Sequence, residues 1–118
     1  MSSPSLVFAA LFAAFNSHDL AALQRLYAPQ AVLTSSDFCQ PRNGADVTRT
    51  YRALFESFPD IRDEIDTVIV QQDRAAVRFT SQSKEFKMRL MTFFRFDEQG
   101  KIIEDDTVFD NSGRPCEP

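Results

Sequence analysis

The fold is decided by the stretch KEFKMRLMTFFRFDEQGKIIEDDTVFD, residues 84–110. Residues 97–100 are turn formers that separate two runs of strand-forming residues. In the first run apolar and charged side chains alternate, which predicts a strand with one buried face. That face would carry Phe86, Met88, Leu90, Thr92, Phe94 and Phe96. The opposite face is cationic except at Met91 and Phe93, so the stretch predicts a long antiparallel hairpin.

The second run contains many acids for a strand: Glu104, Asp105 and Asp106, with Asp110 shortly after them. Aspartate is depleted in strands because its short side chain competes for backbone hydrogen bonds. Alternation places Asp106 and Asp110 on one face and Asp105 on the other, although a β-bulge would change this parity. The acids therefore form either a solvated outer face or the polar part of a pocket.

The rest of the chain predicts three helices and three further strands. Apolar residues recur at helical spacing in three segments, and two segments alternate around a turn. In chain order these are helix 4–15, helix 20–27 ended by Pro29, strand 31–36, helix 47–58 capped by residues 43–46, and two strands within 65–82. Helices followed by a meander of antiparallel strands predict an α+β fold.

Length and charge limit the possible functions. A chain of 118 residues suffices for a single domain, 1–118, with one core. The net charge is −4 and the cations are scattered, which argues against a nucleic-acid partner and against an anionic membrane. The apolar stretch LVFAALFAAF, residues 6–15, is too short to span a bilayer and lacks the cationic start of a signal peptide. We therefore expect a buried helix there, and a cytoplasmic protein.

The two cysteines and the single histidine give no sign of a disulfide framework or a metal site. Cys39 and Cys116 lie far apart in sequence, and no ligand cluster surrounds His18. We expect reduced cysteines, no metal and no organic cofactor.

Four stretches together resemble the SnoaL-like polyketide cyclase family, within the nuclear-transport-factor-2-like superfamily. They cover nearly the whole chain, and their order and spacing carry the resemblance more than any one motif does. They are FAAFNSHDLAALQRLYAPQAVL (12–33), GADVTRTYRALFESFPDIR (44–62), QQDRAAVRFT (71–80) and TFFRFDEQGKIIED (92–105).

The resemblance implies a cone in which three N-terminal helices pack on the concave face of a curved, mostly antiparallel sheet and enclose an apolar pocket. In the family an aspartate near the end of the last strand serves as general acid and base for ring closure by an aldol reaction. The matching position here is Asp110, although the turn formers behind it also fit a plain surface turn. The pocket would be lined by Asp106, Val108, Phe12, Phe55, Met88, Leu90, Thr92 and Phe94. Arg78 either reaches into the pocket to bind an enolate or carboxylate, or lies outside it.

Two other chemistries of this superfamily fit the sequence poorly. Ketosteroid-isomerase-like members need a tyrosine and an acid where this chain has Leu11 and Ser35. Limonene-epoxide-hydrolase-like members need an Arg-x-Asp pair, and Arg78 is followed by Phe79 and Thr80. The short link SQSKEF, residues 81–86, also predicts a smaller or more open pocket than in typical cyclases.

Two functions of different classes remain. The first is a small-molecule enzyme or binding protein that takes an apolar or polyketide-like molecule. The second is a non-catalytic module whose cone is filled by phenylalanines and whose outer sheet face binds a partner. The resemblance also implies a homodimer through the outer sheet face, where Met91 and Phe93 interrupt the charged residues.

Overall fold

Three helices pack on the inner face of one curved, six-stranded sheet, as expected. The computed structural model describes residues 4–110 and 115–118. The helices are α1 (Pro4–Asn16), α2 (Leu20–Leu26) and α3 (Val47–Ser57), and a 3-10 turn (Gly44–Asp46) precedes α3. The strands are β1 (Tyr27–Ser35), β2 (Arg42–Asn43), β3 (Arg62–Gln71), β4 (Arg74–Gln82), β5 (Lys87–Phe96) and β6 (Ile102–Val108).

The sheet order is β2-β1-β6-β5-β4-β3, and every neighbouring pair is antiparallel except β1 and β6. The predicted hairpin of β5 and β6 is present, with Phe94 opposite Asp105 and Phe93 opposite Asp106. Phe94 is buried, whereas Phe93 is 38% exposed. The alternation in β5 therefore predicts its inner and outer faces correctly.

Phenylalanines from the helices and the sheet form the core. Phe8 of α1 packs against Phe94 with ring centroids 5.2 Å apart, and Phe12 packs against Phe79 at 5.4 Å. Phe15 packs against Phe55 of α3 at 5.2 Å. Such tilted and edge-to-face pairs add to the stabilisation from burying the rings.

The cysteine prediction is wrong, because Cys39 and Cys116 form a disulfide. The bond joins the loop after β1 to the end of the chain, 77 residues away in sequence. Backbone hydrogen bonds support the same contact, from the Cys39 amide to the Glu117 carbonyl (2.8 Å) and from the Glu117 amide to the Asp37 carbonyl (2.5 Å). Disulfides are rare in reducing compartments, so this bond removes one support for the prediction of a cytoplasmic location.

In the described part of the chain, no helix is both long and apolar enough to cross a membrane.

Candidate functional site

A cavity of about 580 Å³ lies between the helices and the inner face of the sheet. Its walls are mostly apolar, with α1 and α3 on one side and β4 and β5 on the other. The polar groups in its lining include Asp105 on β6, Asp63 on β3 and Arg42 on β2. A largely apolar cavity of this size with a few polar groups is typical of a small-molecule site.

Asp105 is a buried carboxyl held by hydroxyl groups. The Tyr27 hydroxyl donates to Oδ2 at 2.5 Å, and the Thr107 hydroxyl donates to Oδ1 at 3.1 Å. The hydroxyl oxygens of Tyr27 and Tyr51 lie 3.2 Å apart, which extends the network to α3. The Thr92 hydroxyl is 2.8 Å from that of Thr107. The carboxyl is therefore fixed in orientation while it faces the cavity.

Burial raises the pKa of Asp105 to about 6, although the hydrogen bonds from Tyr27 and Thr107 oppose the rise and the nearby Asp106 charge adds to it. Burial and the Asp105 charge raise the pKa of both Tyr27 and Tyr51. The tyrosines consequently remain protonated donors at neutral pH. The Asp105 carboxyl, by contrast, can bind and release a proton in that range.

Asp63 is the second carboxyl in the cavity. It lies at the start of β3, opposite Ser81 of β4. Burial raises its pKa to about 7, although the Ser81 hydroxyl opposes part of the rise. Its backbone is held by Asn16 at the end of α1, whose side chain accepts from the Asp63 amide (2.8 Å) and donates to the Asp63 carbonyl (2.9 Å).

Arg42 supplies a cation where the chain end lies against the cavity. Its guanidinium carbon lies 3.8 Å from the centroid of the Phe38 ring, and its Nη1 donates to the Thr50 hydroxyl at 3.3 Å. A longer ion pair, 3.9 Å, joins it to Glu117. Arg42 is thus fixed in place by stacking and hydrogen bonding.

Five of the predicted pocket residues line the cavity: Phe12, Met88, Leu90, Thr92 and Phe94. Phe55 is buried behind this lining, where its ring packs on Phe15, Tyr51 and His18.

The structure does not place the other four predicted residues in the cavity. Asp110 is exposed two residues beyond the end of β6, and Val108 is 52% exposed. Asp106 faces the outer side of the sheet, where its carboxylate accepts from the Thr34 hydroxyl at 2.8 Å. Arg78 is also outside, and it donates to the Thr67 hydroxyl at 3.1 Å. The alternation of Asp105 and Asp106 is as predicted, and Asp105 is the one that lines the cavity.

Sequence reasoning missed the residues that bring polar chemistry into the cavity. Asp105 lies opposite Phe94 in the ladder, so it must face the same side as that buried ring. The turn at residues 97–100 was misleading here, because a regular hairpin would pair Phe94 with Glu104, and a register shift between Arg95 and Phe96 brings Asp105 there instead. Tyr27 and Asp63 could not be assigned either, since each lies near an element boundary whose position is hard to predict.

A cluster of three or more histidine, cysteine, aspartate or glutamate side chains suited to a metal ion is absent from residues 4–110 and 115–118.

The sequence profile of the SnoaL-like domain family matches residues 8–105, so the chain belongs to this family. Three solved structures illustrate the range of its structural relatives. IdmH of Streptomyces antibioticus, a candidate polyketide cyclase, is 25% identical with a TM-score of 0.84, and the match covers 93% of this chain and 94% of IdmH.

The other two relatives show the fold alone. AclR of Streptomyces galilaeus, a candidate hydroxylase, is 23% identical with a TM-score of 0.75, and the match covers 92% of this chain and 79% of AclR. A candidate ketosteroid isomerase of Kribbella flavida is 13% identical with a TM-score of 0.78, over 98% of this chain and 83% of that protein. Curated protein sequences gave no match.

Proposed function

We propose that this protein is a small-molecule enzyme that moves protons next to a carbonyl group of a largely apolar, polyketide-like substrate. The observation that carries the proposal is the Asp105 carboxyl, which is buried in an apolar cavity and held by the Tyr27 and Thr107 hydroxyls. Its pKa of about 6 leaves a substantial carboxylate fraction at neutral pH, and the protonated form is also accessible.

The proposed reaction begins with proton removal from carbon. The Asp105 carboxylate takes a proton from the carbon beside the carbonyl, and the negative charge moves to the carbonyl oxygen. The Tyr27 hydroxyl donates to Asp105, whereas the Tyr51 hydroxyl lines the cavity and stays protonated, so Tyr51 is the donor suited to that oxygen. In a cyclase, the enolate then attacks a second carbonyl, whose oxygen takes the proton back from Asp105. In an isomerase, the enolate takes that proton back at another carbon.

The first experiment measures exchange of the hydrogens beside the carbonyl of 2-tetralone in deuterium oxide by NMR. We expect the wild-type protein to accelerate exchange, and Asp105→Asn to reduce the acceleration by about 100-fold or more, the usual scale of a general base. Asp106→Asn is the matched control, because the neighbouring side chain faces outward and acts on Asp105 only through a minor charge effect on its pKa. Acceleration that survives in Asp105→Asn would exclude the proposed role.

Asp110→Asn belongs in the same series, because family spacing assigns the acid–base role to Asp110. Its exposed position leads us to expect exchange within about twofold of wild type. If Asp110→Asn loses activity and Asp105→Asn keeps it, the family assignment is right and ours is not. Tight binding of 2-tetralone without any exchange would instead favour a ligand-binding module.

The proposal includes a homodimer through the outer sheet face, as the family resemblance implies. Ile69 of β3, Ala76 of β4 and Phe93 of β5 are aligned across this face, and Met91 lies nearby at 49% exposure. An exposed apolar row of this kind suits a partner surface. Light scattering should give twice the chain mass for wild type and a lower mass for Phe93→Lys. Glu98→Lys, in the turn after β5, should leave the mass unchanged.

A further inference from the structure

Asp63 occupies a built position at a different wall of the cavity from Asp105. Three strand steps separate β3 from β6 in the sheet order, and the two residues also lie in different rows, since Asp63 aligns through Ser81 with Met88 of β5 whereas Asp105 aligns with Phe94. The two hydrogen bonds from Asn16 hold the Asp63 backbone against α1. The side chain is therefore directed by both the sheet and the helix.

One oxygen of the Asp63 carboxyl is not satisfied by the protein. Its Oδ1 atom is buried and has no hydrogen-bond partner among residues 4–110 and 115–118. A buried polar atom without a partner is destabilising, and the cost is greater for a charged group. Since Asp63 lines the cavity, a ligand atom is in a position to satisfy Oδ1.

Burial favours the neutral form of the Asp63 carboxyl, although the Ser81 hydroxyl opposes part of this effect. Asn16, Ser81 and Tyr51 face it from α1, β4 and α3, and none of them is a cation at neutral pH. The imidazole of His18 binds the Ile61 carbonyl instead. Glu85, which lines the same cavity, would add negative charge. The charged form of Asp105 is better stabilised, because its carboxylate accepts two hydrogen bonds from hydroxyls.

We propose that Asp63 is a second substrate-binding residue, which donates a hydrogen bond from its neutral carboxyl group to an acceptor oxygen of the substrate. This inference rests on the proposed function, in which Asp105 acts at the other end of the same molecule. It defines the substrate class more closely: a ring skeleton that is mostly apolar and carries oxygen functions at two separated positions. A molecule with a single carbonyl would satisfy Asp105 and leave Asp63 without a partner.

The test compares the binding of two probes of matched shape, 6-methoxy-2-tetralone and 6-ethyl-2-tetralone. The two differ at the remote position, where one has an ether oxygen and the other a methylene group. For wild type at pH 6 we expect the methoxy compound to bind about five- to tenfold more tightly, the usual range for one hydrogen bond. The preference should disappear at pH 9, because the ionised Asp63 carboxylate cannot donate to an ether.

Variants at position 63 make the test specific. Asp63→Leu should remove the preference at both pH values, whereas Asp63→Asn, which keeps a donor, should retain it and lose its pH dependence. Glu64→Gln is the matched control on the exposed side of β3 and should behave as wild type. Because Asp63→Asn is nearly isosteric, it reports on the site even if Asp63→Leu does not fold.

The possible outcomes separate this inference from the proposed function. Equal binding of the two probes by wild type, or a preference that Asp63→Leu retains, overturns the role of Asp63 and leaves Asp105 catalysis intact. If neither probe binds wild type and 2-tetralone exchange is not accelerated, the proposed function and this inference both fail.

Discussion

At the residue scale, the Asp105 pKa is a balance between burial, which raises it, and hydrogen bonds, which lower it. Tyr27→Phe removes the shorter of the two hydroxyl bonds and leaves the ring in place. We therefore expect the pKa of Asp105 to rise further above about 6, and the pH profile of 2-tetralone exchange to move to higher pH.

The measurement is a carbon NMR titration of labelled aspartate side chains, with Asp105→Asn used to assign the signal. Tyr51→Phe is the control, since the Tyr51 hydroxyl contacts the Tyr27 hydroxyl, which in turn binds Asp105. If the pKa of Asp105 in Tyr27→Phe is equal to or below its value in wild type, the prediction is wrong.

Asp63 makes stability depend on pH in an unusual direction. Its pKa is about 7 in the folded chain against an ordinary 3.8, so the folded state binds more protons between pH 4 and pH 7. Stability therefore falls as pH rises through that window, and the effect of Asp63 is constant below and above it. Asp63→Asn should remove its share of this fall, on the order of 2–4 kcal/mol at pH 8.

Urea denaturation of wild type and Asp63→Asn at pH 5 and pH 8 measures the difference. The raised pKa of Asp105 also makes stability fall as pH rises, so the stability of Asp63→Asn should still depend on pH, but more weakly than that of wild type. Glu64→Gln controls for the loss of one negative charge at the neighbouring exposed position. Equal unfolding free energies for wild type and Asp63→Asn at pH 8 would show that burial of the charge costs little.

At the element scale, periodicity predicted the helices and the long strands, and it failed where elements meet. Pro29 was expected to end the second helix, yet α2 ends at Leu26 and β1 starts at Tyr27. Proline is tolerated near the start of a strand, and Pro29 lies there, so its position does not mark the end of the helix. The two-residue strand β2 has no pattern of its own and exists because β1 offers it a partner. The location of Tyr27 in the site followed from this boundary and could not be predicted.

Gly44 connects two elements by close packing. A Cβ atom added to this residue would lie 1.8 Å from the carbonyl oxygen of Ala28 in β1, which is backbone and cannot move aside cheaply. We expect Gly44→Ala to destabilise the protein by about 2 kcal/mol or more, because β1 or the 3-10 turn must shift. Ala45→Ser, at the exposed neighbouring position, should change stability by less than about 0.5 kcal/mol. Thermal unfolding of both variants measures the contrast.

At the scale of the whole molecule, family resemblance predicted the cone, but the sequence alone did not predict how its interior is filled. Twelve phenylalanines fit both a solid core and a lined cavity. The choice depends on sheet curvature, which brings Met88 and Leu90 to the cavity wall while Phe94 and Phe96 contact Phe8. The contact between Cys39 and Cys116 is likewise a product of the complete fold, since sequence spacing says nothing about which distant ends meet.

The disulfide gives a prediction for the whole chain. It closes a loop across most of the sequence, so its loss enlarges the conformational freedom of the unfolded state. We expect Cys39→Ser/Cys116→Ser to lower the free energy of unfolding by about 2–4 kcal/mol.

A thiol assay under denaturing, non-reducing conditions should find no free thiol in wild type, and two after reduction. The disulfide also holds the end of the chain against the cavity, where Arg42 pairs with Glu117. We therefore expect the double variant to differ from wild type in its affinity for 2-tetralone as well as in its stability. Two free thiols in freshly purified protein, together with unchanged stability of the double variant, would show that the bond does not form in solution.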